Sequence, residues 1–164
     1  LKLRRRDFLA AAVLVAVTPT RAAGLTDELT EEEFDLLRQV NLMRRARGLK
    51  LLTLRRDLCG AARAYARRMA TEKFFSHVAP GGDGPTDRAD AAGYDWRRLG
   101  ETLAAGYATP AAAARSWRES AGHAKIIFDP NHRHAGVGYW RQPSRDPNAP
   151  ELERYWVLLA GDTR

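Results

Sequence analysis

With 164 residues, 45% of them hydrophobic and 9% aromatic, the chain has the size of one domain plus a short appendage, and it can fold without disulfides or a structural metal. The formal net charge of +7 invites a nucleic-acid or anionic-membrane reading, but Lys2, Arg4, Arg5, Arg6 and Arg21 stand against Asp7 alone in residues 1–22. The remaining 22 basic and 19 acidic residues give a net of +3, and no motif interleaves aromatic with basic residues, so nucleic acid is not an expected partner.

Arg4-Arg5-Arg6-Asp7-Phe8-Leu9 is a charged region with a twin-arginine pattern. An apolar run over residues 9–17 follows, and Thr20-Arg21-Ala22 offers small residues at the spacing signal peptidase reads. Residues 1–22 therefore read as a cleaved export signal of the twin-arginine (Tat) type, with periplasm or cell exterior as the destination. The apolar run is too short to span a bilayer, which takes ~20 residues, so membrane contact is expected only through the signal before cleavage. Cys59, the single cysteine, can form no intramolecular disulfide and sits in an apolar helical pattern, as a buried structural thiol would.

Residues 23–29 read as a linker and 30–164 as the folded domain. Thr30-Glu31-Glu32-Glu33 is a capping box, followed by a helical stripe of Phe34, Leu37, Val40 and Leu42 with a stop at Gly48. Arg44, Arg45 and Arg47 suit the last turn, where cations face exposed carbonyls. Asp57 can cap a second helix, in which Leu58, Ala62, Tyr65, Ala66 and Met69 form the core stripe and Arg63, Arg67 and Arg68 fall on solvated faces. A Gly/Pro turn at 81–85 leads to a short helix ending near Gly93. Thr109-Pro110 opens another helix that runs to Trp117 and Ser120, and Asp129-Pro130-Asn131 breaks the chain again. Residues 136–142 and 155–161 read as strands joined by a long polar connection, and His132 and His134 as exposed loop residues. Helices followed by strands point to an α+β fold.

Three segments place polar residues beside glycine or aromatic structure: Phe74-Phe75-Ser76-His77, Gly100-Glu101-Thr102-Leu103-Ala104 and Ser120-Ala121-Gly122-His123. Two histidines and a glutamate converging on one cavity could bind a divalent metal, act as an acid–base pair, or form a hydrogen-bonded network. Spacing alone favours the network, since no local spacing is a zinc signature.

These segments, with Trp117 ahead of Ser120, resemble the successive motifs of the bacterial branch of the CAP superfamily (cysteine-rich secretory proteins, antigen 5, pathogenesis-related 1): Phe-Ser-His, Gly-Glu-Asn-Ile-Ala and Trp-x-x-Ser-x-Gly-His. Gly136-Val137-Gly138-Tyr139 and Tyr155-Trp156-Val157 resemble its closing strands, and the likeness runs from about Phe34 to Gly161. The resemblance implies an α-β-α sandwich, a central antiparallel sheet between helical layers, with a surface cleft. Some relatives hold two His and two Glu there and are reported to bind zinc or another divalent cation. By position these are His77, His123 and Glu101; the second Glu is replaced by Ser120, and the adjacent Glu119 could reach in if the helix continued past Gly122. Thr102 and Ala124 also depart from the usual pattern. No cofactor is required by this reading, and a cation held weakly by His77 and His123 stays open. The resemblance implies no particular reaction; reported sterol and fatty-acid binding by relatives implies a binding module for a small apolar, lipid-like or cell-envelope ligand, and a monomer is expected. The alternative is a metal-assisted or His/Glu-dependent hydrolase of peptide or envelope polymer.

Overall fold

The computed structural model describes residues 29–143 and 154–164. The expected export signal, linker residues 23–28 and most of the polar connection between the last two strands lie outside them. In chain order the elements are α1 (Glu31–Arg45), β1 (Thr53–Leu54), α2 (Arg56–Glu72), α3 (Pro85–Ala91), β2 (Trp96–Ala105), α4 (Pro110–Glu119), α5 (Ala121–Ile127), β3 (His134–Arg141) and β4 (Arg154–Thr163). The sheet order is β1-β3-β4-β2; the three long strands pair antiparallel, and β1 adds a two-residue parallel edge. Among the described residues no helix is long and apolar enough to cross a membrane.

The sandwich follows from the alternation of β4. Tyr155, Val157 and Leu159 enter a core with α2 and Tyr94, while Trp156, Leu158 and Ala160 enter a second core with α1, α4 and α5. A strand covered on both faces reads as one continuous apolar run, which is why its sequence shows no polar alternation. The layer against α2 is thin. A Cβ on Gly136 would stand 2.2 Å from the Leu58 carbonyl carbon, and one on Gly138 2.3 Å from that of Ala62. Both glycines are therefore required by the close approach of helix backbone to strand.

The capping box forms as expected: Glu33 N–H donates to Thr30 Oγ1 (3.3 Å) and Thr30 N–H to Glu33 Oε2 (3.0 Å). The core stripe of α2 is buried throughout, Cys59 is a buried free thiol, and the Thr109 side chain caps α4.

Other expectations are corrected. The buried face of α1 runs through Glu33, Leu36, Val40 and Arg44, leaving Phe34 58% and Leu42 49% exposed. These four positions keep strict i, i+3/i+4 spacing, and two are charged, which hid the phase of the helix. Arg44 does not oppose its own helix end. It turns inward and donates to the carbonyls of Lys50 (2.8 Å), Ile127 (2.8 Å), Asp129 (3.0 Å) and His132 (3.2 Å). Arg63 is not solvated but pairs with Glu33. Asp57 lies inside the first turn of α2, where it accepts from Leu58 N–H and pairs with Arg55. His132 is buried, its Nδ1 3.0 Å from Ile126 O, and His134 opens β3, its Nδ1 3.0 Å from Tyr94 Oη. Finally, α4 stops at Glu119, and extended Ser120 starts the separate helix α5.

Candidate functional site

His77 sits in the loop between α2 and α3, and its backbone is fixed from three sides. Lys73 ends α2 in the left-handed region (φ 56°), turning the chain away from the helix axis. Tyr65 Oη then donates to Ser76 O at 2.7 Å, and Arg88 Nη2 donates to His77 O at 3.1 Å. The imidazole is half exposed, with Nδ1 2.8 Å from Glu101 Oε1. Glu101 faces the α2 side of β2, and its side chain is only 1% exposed. A carboxylate so desolvated is costly unless paired. Arg88 of α3, itself 9% exposed, supplies the pairing: Nη2 lies 2.7 Å from Glu101 Oε2. The same guanidinium lies over the Tyr65 ring at 3.3 Å from its centroid and donates from Nη1 to Asp83 O at 3.0 Å. Arg68 in turn holds the Asp83 carboxylate at 2.7 Å.

His123 comes from α5, with its ring centroid 6.4 Å from that of His77. Burial lowers its pKa, and the neighbouring His77 acts in the same direction. Ser120 is half-buried at the α4–α5 junction, its backbone N–H bonded to Ser116 O. Glu119 is 61% exposed and pairs with Arg118 at 3.1 Å. It and His123 belong to different helices, so they share no helix face. Trp117 is fully buried and donates from Nε1 to Leu103 O at 2.9 Å, acting as core. Thr102 points to the opposite side of β2 from Glu101, and its buried hydroxyl has no hydrogen-bond partner.

Of the residues singled out from sequence, the structure brings His77, Glu101 and His123 together. It also adds Arg88, Tyr65 and Asp83, which nothing in the motif spacing marked. Both Glu101 oxygens are engaged, one by His77 and one by Arg88. Two imidazoles remain as donors for a cation, fewer than the three protein ligands of a catalytic zinc site. Among the described residues no group of three or more His, Cys, Asp or Glu is arranged to hold a metal. What the arrangement offers chemically is a carboxylate-oriented imidazole beside a second imidazole of lowered basicity.

Behind this cluster, between α2 and α3, lies an open cavity of about 470 Å³. Its apolar lining is Gly60, Ala61 and Ala64 from one side and Ala91 and Ala92 from the other, and the charged Arg56, Asp57, Arg68, Asp83 and Arg88 also reach it. Tyr65 and Arg88 line both the cavity and the back of the His77–Glu101 pair.

Residues 37–159 match the model of the cysteine-rich secretory protein family, CAP. The chain is 36% identical over 99 residues to the protein YkwD of Bacillus subtilis, covering 60% of this chain and 38% of YkwD. It is 29% identical over 113 residues to the membrane protein YlbC of the same organism, covering 69% and 33%. The chain thus spans about a third of the length of each, 38% and 33%. Among solved structures, it resembles an outer surface protein from Borrelia burgdorferi (TM-score 0.71, 18% identity, 84% of this chain and 97% of that one). It also resembles an extracellular SCP-domain protein from Bacillus anthracis (TM-score 0.67, 21% identity, 83% and 45%). At these identities the likeness establishes the shared fold.

Proposed function

The chain belongs to the cysteine-rich secretory protein (CAP) family, and from that premise we propose that it is an exported, monomeric binding module for a small apolar, lipid-like or cell-envelope ligand. One observation carries this reading: the α2–α3 cavity sets an apolar stretch of Gly60, Ala61, Ala64, Ala91 and Ala92 among charged groups, Arg68, Asp83 and Arg88 toward the His77–Glu101 pair and Arg56 and Asp57 at the start of α2. Its volume falls in the range of small-molecule sites, about 300–1,000 Å³, which are mostly apolar with a few placed polar groups. An amphipathic ligand would bury its apolar body against the Gly and Ala stretch and turn its head toward the charged groups. Export is supported by the sequence of residues 1–22 and by the outer-surface and extracellular descriptions of the two fold relatives.

Titrating the protein with a fluorescent fatty acid tests the reading. Wild type should bind saturably. Ala64→Trp, which fills the cavity from an exposed helix position, should abolish binding, and Glu101→Gln should leave it nearly intact. Equal binding by wild type and Ala64→Trp would rule the cavity out as the ligand site.

The 2.8 Å contact between His77 and Glu101 favours a second reading, a His/Glu-dependent hydrolase of peptide or envelope polymer. In it His77 acts as general base, oriented by Glu101. Hydrolysis of a peptidoglycan or peptide substrate by wild type, lost in Glu101→Gln, would replace the binding reading with this one.

A further inference from the structure

We propose that Arg88 is the positioning residue of the candidate site, fixing His77 as the Nδ1–H tautomer with Nε2 left free to face a ligand. This role, which rests on reading His77 as the working group of the site, follows from one planar cation contacting both members of the pair. Arg88 Nη2 reaches the Glu101 carboxylate at 2.7 Å and the His77 carbonyl at 3.1 Å, while Nη1 is tied to Asp83 O at 3.0 Å. The plane itself is held over the Tyr65 ring, whose hydroxyl bonds Ser76 O, next to His77. The backbone of His77, its side-chain partner and the cation are therefore joined in one hydrogen-bonded network.

The proton assignment follows from donor chemistry. A guanidinium only donates, so Glu101 Oε2 accepts from it, and the carboxylate facing that cation accepts at Oε1 as well. The proton shared across the 2.8 Å contact then belongs to His77 Nδ1, and Nε2 is left with its lone pair. Lysine could supply the charge but not the fork that spans Glu101, His77 and Asp83.

One detail separates this role from ordinary ion pairing. Arg88 Nε is buried and has no hydrogen-bond partner. A guanidinium placed to serve two acceptors of the site tolerates the loss, as local rule-breaking at functional sites does.

The test is imidazole ¹⁵N NMR on the intact protein above the histidine titration range, comparing wild type with Arg88→Gln and Arg88→Lys. Wild type should show His77 as a single Nδ1–H tautomer. In Arg88→Gln this signature should give way to a tautomer mixture. In Arg88→Lys the tautomer should be retained, but with broadened His77 signals, because charge is kept and the fork is lost. If Arg88→Gln does not fold, the lysine variant decides, since a merely structural arginine predicts His77 signals there identical to wild type. An Nε2–H tautomer in wild type, or an unchanged His77 spectrum in folded variants, would overturn the assignment. Assaying the same wild-type sample for peptide or peptidoglycan hydrolysis separates the two readings: absent hydrolysis removes His77 as a general base and leaves the tautomer result standing.

Discussion

Arg63 of α2 grips Glu33 of α1 at two points, Nε to Oε1 at 2.7 Å and Nη2 to Oε2 at 2.6 Å, with the carboxylate side chain only 1% exposed. The same carboxylate accepts from Thr30 N–H and from Tyr139 N–H of β3, so one side chain joins the start of α1, the middle of α2 and a sheet strand. Removing either ion strips the other, largely buried, of this two-point contact, and breaking a buried pair costs about 3–5 kcal/mol. Arg63→Met and Glu33→Leu should each destabilise by that order, and the double variant by clearly less than their sum. Urea denaturation of the four proteins in a double-mutant cycle measures the difference, and strict additivity would show that the pair is not coupled.

The glycines of β3 and α2 should respond in opposite directions to the same substitution. Gly138→Ala drives a methyl to within 2.3 Å of the Ala62 carbonyl carbon, so α2 must lift from the sheet. Overpacking of this kind costs about 1–3 kcal/mol or more. Gly60→Ala in the interior of α2 meets nothing within 4 Å and should stabilise by roughly 0.5–1 kcal/mol through helix propensity. Thermal melts of the two variants check the signs.

Two histidines give stability a pH dependence above the carboxylate range. Burial lowers the pKa of His123, with His77 facing it. It also lowers that of His132, where Arg44 and Arg98 add to the effect while the bond to Ile126 O and the charge of Asp129 oppose it. For both, the folded state binds fewer protons than the unfolded chain, whose histidines titrate near 6.5. Stability should therefore be full above about pH 6.5 and decline as pH falls below it. Midpoints of urea denaturation from pH 7.5 to 5 should show this decline, and His132→Asn should flatten the slope even as it lowers the absolute value. A wild-type profile that is level across that interval would contradict both shifts.

Much of the site was legible because its three principal side chains sit in short contiguous motifs. His77, Glu101 and His123 could be named from sequence, and β3 and β4 announced themselves as apolar runs. The long strand β2 could not be read. Its first half carries exposed Arg97 and Arg98, and its middle holds Gly100 and Glu101 where a buried strand would show apolar residues. Arg88 was hidden for a related reason: a charge in a seven-residue helix reads as solvated. An energetic argument narrows the choice. A glutamate buried beside a histidine needs a cation, and between the two motifs the basic residues are Arg88, Arg97 and Arg98 alone. Arg97 and Arg98 share a strand with Glu101 that only the structure reveals, so charge alone stops at three candidates and the geometry selects Arg88. His132 and Arg44 were misread together, because each is buried through bonds to backbone carbonyls that no side-chain pattern records.

The placement of β4 bears on how the chain acquires its structure. This strand feeds alternate side chains into both hydrophobic layers, yet it follows every other described element in chain order. Neither layer is closed while the ribosome is still making the helices, and β2 waits for its hydrogen-bonded neighbour across some fifty residues of chain. Pairings so distant in sequence form slowly, because loop closure must come first. Both layers therefore stay open on the β4 side until that strand emerges, which makes the preceding interval the period when a chaperone has most exposed apolar surface to hold.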